Sequence, residues 1–424
     1  MTQPHSCAEA INRLVSVAIV AIFSVITLPP ILLGLDGKGG LASDAISYHL
    51  PQINYFLTHT GDLVKYPATA TTLPFYHYLI AKIGGILGYT TIGNDSLGVR
   101  LGHWLLTVIG IALFTRRLPQ LCGPINGFIL AVPLVTSWHV LSGAIYYGTD
   151  GPMVTVLALT LVGGAAISTQ AVIMVLAIMV RHLVFPFVFF YHLAQPLADR
   201  SLSGIVRLCL ATLPALALLA FYMAQWGGLT PPGEVARLNP KGIFSYALLA
   251  HLGVAGLWGA AFGMLRLNAW LALLRDNRVR WIIAALAVVL TLVWLAVPTN
   301  PSLLDGRFGS VVWQLAGIGL VGTRSLCVLA LSWLGAACLV LMFEDASRAG
   351  RIPAEVVGLI GFLVGLMLTY AAYQRYSEPP ILMAMTLSTA YLMGSVRLPF
   401  WRYVPLAALS LTGILVILTR FFAH

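Results

Sequence analysis

The chain has 424 residues, of which 59% are hydrophobic and 9% are charged, and its mean hydropathy is +0.90. Soluble domains carry about 25% charged residues, so this composition excludes a soluble protein. The net charge of +10 does not indicate a nucleic-acid partner, because most of the arginines border apolar runs, as in membrane proteins whose basic loops face the cytoplasm.

Apolar runs recur along the whole chain with the length of about 20 residues that a helix needs to cross a bilayer. They predict an all-α polytopic membrane protein with about 11–13 transmembrane helices in a single domain, residues 1–424. The predicted spans are 13–35, 98–116, 121–144, 149–168, 170–195, 204–226, 242–264, 281–298, 324–343, 354–373, 378–396 and 403–421.

The basic loops predict the orientation. Arg116 and Arg117, the arginines of 266–280, and Arg348 with Arg351 are all cytoplasmic if the N-terminus is inside. Segment 36–97 is then a long first loop on the outer side. The alternation holds only if 170–195, which contains Arg181, forms a broken, re-entrant pair beside protein or water. Only four of the 24 basic residues are lysine, a bias that favours a bacterial source. Together with the orientation from the basic loops, it predicts a bacterial inner membrane with the site facing the periplasm.

The first loop contains the first candidate site. Asp44 lies five residues before His49 in a chain with few charges. A carboxylate here can act as a general base toward a sugar hydroxyl, or can hold a divalent cation together with the imidazole. The alternative is that Asp44 caps a helix that begins near Ala45. Thr71 and Thr72 follow in TATTLP, which fits a site for sugar or phosphate oxygens, or a simple turn.

Polar residues beyond this loop form the second group of candidates. Asp150 opens a predicted span, where either helix capping or substrate binding explains it. Arg181 lies within an apolar run, which makes it a functional candidate by default; the alternative is a buried ion pair with an acid such as Asp150. Arg100 and Arg375 lie at the outer ends of spans. Guanidinium groups match phosphate oxygens, although Arg100 also fits a side chain that extends to the interface.

Several of these short runs, in chain order, resemble the dolichyl-phosphate-glucose-dependent α-1,2-glucosyltransferases that complete the N-glycan precursor. The first run, D-x4-H-x-P-Q-x2-Y, comprises Asp44, His49, Pro51, Gln52 and Tyr55. The second, T-T-x-P followed by tyrosine, comprises Thr71, Thr72, Pro74 and Tyr76 or Tyr78. Weaker matches occur at Tyr146–Asp150, Val99-Arg100, Arg181 and Arg375-Tyr376. The Q-T-N that follows the arginine in that family is missing here.

This resemblance implies a GT-C fold and a membrane hexosyltransferase that uses a polyprenyl-phosphate sugar, undecaprenyl or dolichyl, and inverts the anomeric carbon. It makes Asp44 the catalytic base and assigns donor-phosphate binding to Arg100, Arg181 and Arg375. The expected substrate-binding residues are His49, Gln52, Thr71, Thr72, Tyr76 and Asp150. The acceptor is a glycan or glycolipid, membrane lipid surrounds the protein, and no cofactor is required, although a divalent metal stays an alternative.

The sequence contains no nucleotide-binding motif in a credible context, so the sugar donor is expected to be lipid-linked. A second hypothesis from another class is a transporter or flippase of lipid-linked sugars, which would share a buried arginine but would not need Asp44 and His49 in an outer loop. A third is a lipid-to-lipid ligase, whose large loop usually comes late in the chain.

Overall fold

The protein is described by a computed structural model that covers residues 4–35, 40–59, 61–70, 72–164, 166–228, 230–232, 242–299, 311–369 and 373–421. The helices of the first part are α1 (Pro4–Leu32), α2 (Gly40–Asp44), α3 (Leu50–Thr58), α4 (Phe75–Ile86), α5 (Leu97–Cys122), α6 (Pro124–Thr136), α7 (Trp138–Ile145) and α8 (Asp150–Val162). A π-helix, Ala45–His49, joins α2 to α3.

The second part is also helical apart from one short hairpin, β1 (Leu320–Val321) and β2 (Arg324–Ser325). Its helices are α9 (Ile167–Arg181), α10 (Phe185–Ala198), α11 (Leu202–Trp226), α12 (Ser245–Leu265), α13 (Leu267–Leu273), α14 (Asn277–Ala296), α15 (Val311–Ala316), α16 (Leu326–Arg348), α17 (Ala354–Gly365), α18 (Gln374–Met393) and α19 (Val404–Phe421). Three-residue 3₁₀ turns lie at His182–Val184, Leu366–Leu368 and Phe400–Arg402.

The chain is an all-α polytopic membrane protein. Within the described residues, eight helical runs are long and apolar enough to cross a membrane, or nine if α6 and α7, bent by 61° at Ser137, form one span. This is fewer than the eleven to thirteen predicted. The other predicted spans are helical, but they are shorter (Asp150–Val162 and Ala354–Leu368) or, at Gln374–Met393, less apolar. Helices that line a polar site inside the protein do not need to meet lipid on every face.

The bundle has a centre and a periphery. In α12, 78% of the most apolar window is buried inside the protein, against 17% in α14 and 22% in α11. Two glycines let α12 and α16 approach backbone to backbone: an added Cβ would lie 2.4 Å from the Leu331 carbonyl oxygen at Gly256, and 2.0 Å from the Leu252 carbonyl oxygen at Gly335. Small residues at such contacts are typical of helices packed within a membrane.

The chain reverses direction at Arg181. The Gln170 amide lies 3.4 Å from Nδ1 of His192, although a straight helix would separate these residues by about 33 Å. The backbone of Arg181 is extended (φ −160°, ψ 103°), and the 3₁₀ turn follows. The helical run Ile167–Ala198, counted above as one run by length and composition, therefore consists of two antiparallel arms with Arg181 at their tip. A pair broken at Arg181 is thus present as predicted; its re-entry on one side of a membrane stays a prediction.

The described residues of the first loop pack against the bundle and do not form a linker. Helices α3 and α4 pack together, and Phe56, Leu73 and Ile80 are fully or almost fully buried between them and the bundle. The Asn54 side chain closes the loop by accepting from the Ile92 N–H at 2.7 Å and donating to its carbonyl at 2.8 Å. The interrupted apolar stretch 73–89 forms α4, which is 12 residues long. The location of segment 36–97 on the outer side stays a prediction.

Candidate functional site

Asp44 and His49 are brought together by the π-helix between them. Residues five apart point in different directions on an α-helix, whereas a π-helix, with its i→i+5 hydrogen bonds, stacks them on one face. The Leu50 N–H donates to the Ala45 carbonyl in this way. Asp44 has helical φ and ψ and makes no side-chain capping bond, so the alternative in which it caps a helix is wrong. Its carboxylate is free to face the interior.

These two side chains line a small cavity whose other walls come from α7, α8 and α18. The cavity encloses about 10 Å³, which is room for one water molecule. The lining residues are Asp44, His49, Ser142, Gly143, Tyr146, Tyr147, Gly148, Asp150 and Arg375. Asp150 belongs to the first turn of α8 and Arg375 to the first turn of α18, so helix ends from distant parts of the sequence converge here.

Two arginines and two aspartates form a connected ion-pair cluster beside this cavity. Nη1 of Arg375 lies 2.5 Å from Oδ2 of Asp44, and Nε of Arg375 lies 3.8 Å from Oδ2 of Asp150. Arg181 donates through Nη1 to the other oxygen of Asp150. The buried pair between Arg181 and Asp150, considered as the alternative for Arg181, is therefore present. Because the two positive and two negative charges balance, Arg181, Asp150 and Arg375 can be largely withdrawn from water, while 25% of the Asp44 side chain stays exposed.

The cluster still has unused hydrogen-bond donors. Within the described residues, Nε of Arg181 and Nε of Arg375 are buried and have no hydrogen-bond partner. Each guanidinium group also lies over an aromatic ring. Cζ of Arg181 is 4.1 Å from the centre of the Tyr376 ring, and Cζ of Arg375 is 4.7 Å from the centre of the Tyr373 ring. Buried unpaired N–H groups are costly. The cluster can therefore accept a further hydrogen-bond acceptor, above all an anionic one.

A chain of hydrogen bonds supports His49 from behind. Nδ1 of His49 lies 2.8 Å from Nε2 of His77, and Nδ1 of His77 lies 3.1 Å from the Gln52 amide nitrogen. The Ala70 N–H donates to the Gln52 carbonyl oxygen at 3.1 Å. Burial lowers the pKa of His77 to about 3, and burial together with nearby His77 and Arg375 places the pKa of His49 well below its usual value. Both rings are neutral at pH 7.

Tyr76 and Gln52, expected to bind substrate, have supporting roles here. The Tyr76 hydroxyl lies 3.0 Å from Nδ1 of His103 and accepts from the Gly148 N–H at 2.9 Å, while Nε2 of His103 donates to the Gly143 carbonyl at 2.9 Å. Tyr76 thus fixes the two glycines of the cavity wall without lining the cavity. Gln52 is fully buried and reaches the cavity only through the two histidines.

Two further predicted residues, Arg100 and Thr72, do not line the cavity. Arg100 is buried on α5, donates to the Asn94 carbonyl at 2.8 Å and is not among the lining residues. Thr72 is buried, and its hydroxyl has no hydrogen-bond partner within the described chain. Thr71 lies outside the described residues. The structure therefore unites Asp44, His49, Asp150, Arg181 and Arg375, and does not place Arg100 or Thr72 with them.

Sequence reasoning missed several residues that hold the site together. Glu378 is buried, accepts from the Ser137 hydroxyl at 2.5 Å and from Gln374, and so anchors the start of α18, which carries Arg375. His77 is another, and so is Tyr376, which the resemblance placed beside Arg375 without a role. A glutamate at the start of a hydrophobic span, and a histidine within YHY of a chain poor in charge, were available signals.

No metal site is evident in the part of the chain that the structure describes: no group of three or more histidine, cysteine or acidic side chains could hold an ion there. Asp44 and His49 do line one cavity, but the adjacent positive charge is Arg375. Among the described residues, the divalent cation considered for this pair therefore finds no set of three ligands.

Comparison of the chain with protein-family models, with curated proteins and with solved structures finds no match. The resemblance to the glucosyltransferases therefore depends on the short runs alone, and the site has to be interpreted from its own geometry.

Proposed function

We propose that the protein is an integral membrane glycosyltransferase of the GT-C type, which moves a sugar from a polyprenyl-phosphate donor to a hydroxyl of a glycan or glycolipid. One observation carries the proposal: a carboxylate, a neutral histidine and Arg375 line one cavity, Arg181 is ion-paired to Asp150 in its wall, and both arginines have an unused Nε–H group. Such a set offers a proton acceptor and a phosphate site side by side.

The arginines supply the phosphate site. A phosphate oxygen can accept from the unpaired Nε atoms of Arg181 and Arg375, and the charge-assisted bonds of a guanidinium to phosphate are among the stronger hydrogen bonds in proteins. Their contribution grows as the leaving phosphate gains charge, because the surroundings are buried and of low polarity. Tyr373 and Tyr376 keep both guanidinium groups in place.

Asp44 supplies the base. The acceptor hydroxyl gives its proton to Asp44 while its oxygen forms a bond to the anomeric carbon. The bond between that carbon and the phosphate oxygen breaks, and the polyprenyl phosphate leaves with the electron pair. Attack and departure on opposite faces of the sugar invert the anomeric carbon.

Before this reaction, the ion pair between Asp44 and Arg375 has to be replaced by contacts to the substrate, because the cavity is small. A space of about 10 Å³ holds no sugar, and Asp44 is bound to Arg375 at 2.5 Å. A donor phosphate that binds Arg375 displaces Asp44 from it. The arrival of the donor therefore both opens the site and releases the Asp44 carboxylate to accept the proton of the acceptor hydroxyl.

Helix α18 supports a periplasmic site. It is 20 residues long, about 30 Å, which equals the hydrocarbon thickness of a bilayer. Arg375 lies in its first turn. At its other end, Arg117 donates to the Tyr391 hydroxyl, Arg351 lies on the Tyr391 ring and Arg266 donates to the Leu392 carbonyl. The positive-inside rule makes that end cytoplasmic, and the cavity then faces the periplasm of a bacterial inner membrane.

The test is sugar transfer by purified protein in nanodiscs, from a panel of synthetic undecaprenyl- and dolichyl-phosphate sugars. Asp44→Asn removes the base and keeps the size, so we expect the rate to fall by about 10²–10⁴-fold. Asp62→Asn is the matched control, because Asp62 lies exposed in the same loop and only accepts from the Val64 and Lys65 N–H groups. Equal rates for Asp44→Asn and the wild type would reject Asp44 as the base.

A flippase of lipid-linked sugars is the second candidate. The observation in its favour is that paired, largely buried charges lie beside the cavity, as intramembrane charges along transport pathways do. Absence of transfer with every donor in the panel, together with movement of a fluorescent polyprenyl-phosphate sugar between leaflets of a vesicle, would replace the transferase by this candidate.

A further inference from the structure

In the row of hydrogen bonds that runs from Ala70 through Gln52 and His77 to His49, the position of each proton follows from the one before it. A backbone N–H can only donate, so the bond from Ala70 requires the Gln52 oxygen on its side. The NH₂ group of Gln52 must then face His77, which accepts it at Nδ1. A neutral imidazole carries one proton, so that of His77 is at Nε2 and is donated to Nδ1 of His49.

The last link determines what His49 presents to the cavity. Since Nδ1 of His49 accepts, its own proton is at Nε2. That atom is the one nearest to Gly148 in the cavity wall, 3.5 Å from the position that a Cβ there would occupy. We infer that Gln52 and His77 are positioning residues, which fix His49 as a hydrogen-bond donor through Nε2 to a phosphate oxygen of the substrate.

The pKa values agree with this arrangement, because burial keeps both imidazoles uncharged. A neutral ring with its proton already at Nε2 cannot take a further proton from an acceptor hydroxyl without becoming a buried cation. His49 is therefore no general base, and the task stays with Asp44. The identity of the bound oxygen rests on the proposed function; the position of the protons does not.

The first experiment measures the tautomer without any substrate. Wild-type protein in nanodiscs is labelled with ¹⁵N in the histidine rings, and the His49 signals are assigned by their loss in His49→Gln. We expect a protonated Nε2 and an unprotonated Nδ1 at pH 7. A His49 ring with its proton at Nδ1, or with two protons, would overturn the inference whatever the protein catalyses.

The second experiment reverses the chain with one substitution. In Gln52→Glu, a carboxylate accepts both from Ala70 and from a protonated Nδ1 of His77, so Nε2 of His77 becomes an acceptor and the proton of His49 moves to Nδ1. We expect the ¹⁵N pattern of His49 to invert, and the affinity for citronellyl phosphate, a short isoprenyl phosphate, to fall about tenfold or more.

The matched control is Gln170→Glu, which alters another glutamine–histidine contact, with His192, about three helical turns from Arg181. It should leave the His49 signals and the affinity unchanged. An inverted His49 pattern with unchanged affinity in Gln52→Glu would overturn the contact between His49 and phosphate. Absence of phosphate binding by the wild type, with the expected tautomer, would instead reject the proposed function and leave the proton assignment standing.

Discussion

The two ends of α18 carry arginine–aspartate contacts of opposite character. At its C-terminal end, Arg266 binds Asp345 through Nε and Nη2, each at 2.8 Å, and uses Nη1 for the Leu392 carbonyl at 2.9 Å. At its N-terminal end, Arg375 contacts Asp44 and Asp150 through single atoms and leaves its Nε without a hydrogen-bond partner among the described residues.

The difference separates a structural ion pair from a candidate site. The Arg266 pair is bidentate, and every guanidinium nitrogen of Arg266 has a hydrogen-bond partner, so the pair fixes the packing of α12 against α16 and α18. The Arg375 cluster is balanced in charge but incomplete in hydrogen bonds, and it borders a cavity. The same two residue types thus serve stability at one end and have binding capacity at the other.

The largest expected effect comes from breaking the ion pair between Arg266 and Asp345. Asp345→Asn leaves Arg266 without its counter-charge, and we expect the free energy of unfolding to fall by about 3 kcal/mol, measured by thermal or denaturant unfolding in detergent. Glu9→Gln is the control, because it breaks the exposed Glu9–Arg13 pair, which is worth at most about 1 kcal/mol. An equal, small loss of unfolding free energy in both variants would show that the Arg266–Asp345 pair stabilises the fold no more than an exposed pair does.

The next effect concerns affinity. Arg375→Gln removes a charged donor from the phosphate site, and we expect the affinity for citronellyl phosphate, measured by calorimetry, to fall about 10- to 100-fold. Arg266→Gln should lower the melting temperature and leave the affinity of the folded protein unchanged. If the two variants lost affinity equally, the contrast between the two ends of α18 would be wrong.

Much of the fold, and only part of the site, was predictable from the sequence. Apolar runs predict helices because burial in lipid demands long apolar segments, and the alternation of the basic loops predicts a break within 170–195. Asp44 and His49 are close in sequence, so their spacing indicates their proximity. That Arg375 meets Asp44 depends on how α18 packs against the first loop, a long-range contact that no local pattern encodes. For the same reason Arg100, at the end of another span, looked equivalent to Arg375 and is not.

Stability near the N-terminal end of α18 is also expected to depend on pH, because the candidate site there contains the neutral histidines His49 and His77. The pKa of His77 is lowered from 6.5 to about 3, so the unfolded chain binds more protons below pH 6.5. The contribution of the neutral His77 ring to the free energy of unfolding is fully present above pH 6.5. It is lost as the pH falls toward 3, by about 1.4 kcal/mol per pH unit for one such group. His77→Gln should flatten this part of the stability profile measured between pH 7 and 5.

His59→Gln is the control for that measurement, since His59 lies exposed on the same loop, stacked on Tyr55. It should leave the slope unchanged. A wild-type stability profile that is flat between pH 7 and 5 would show that His77 is accessible to protons in the folded protein, and would remove the neutral histidine on which the proton assignment depends.

The smallest effect concerns Thr72, a buried hydroxyl with no partner among the described residues, like the Nε atoms of the two site arginines. An unpaired buried hydroxyl costs folding free energy, so Thr72→Val should stabilise the protein by about 1 kcal/mol in the same unfolding assay. The affinity for citronellyl phosphate should not change, because Thr72 does not line the cavity. If Thr72→Val instead lowered the affinity or the rate of sugar transfer, the Thr72 hydroxyl would belong to the substrate site together with the two arginines. The site would then include this part of the first loop.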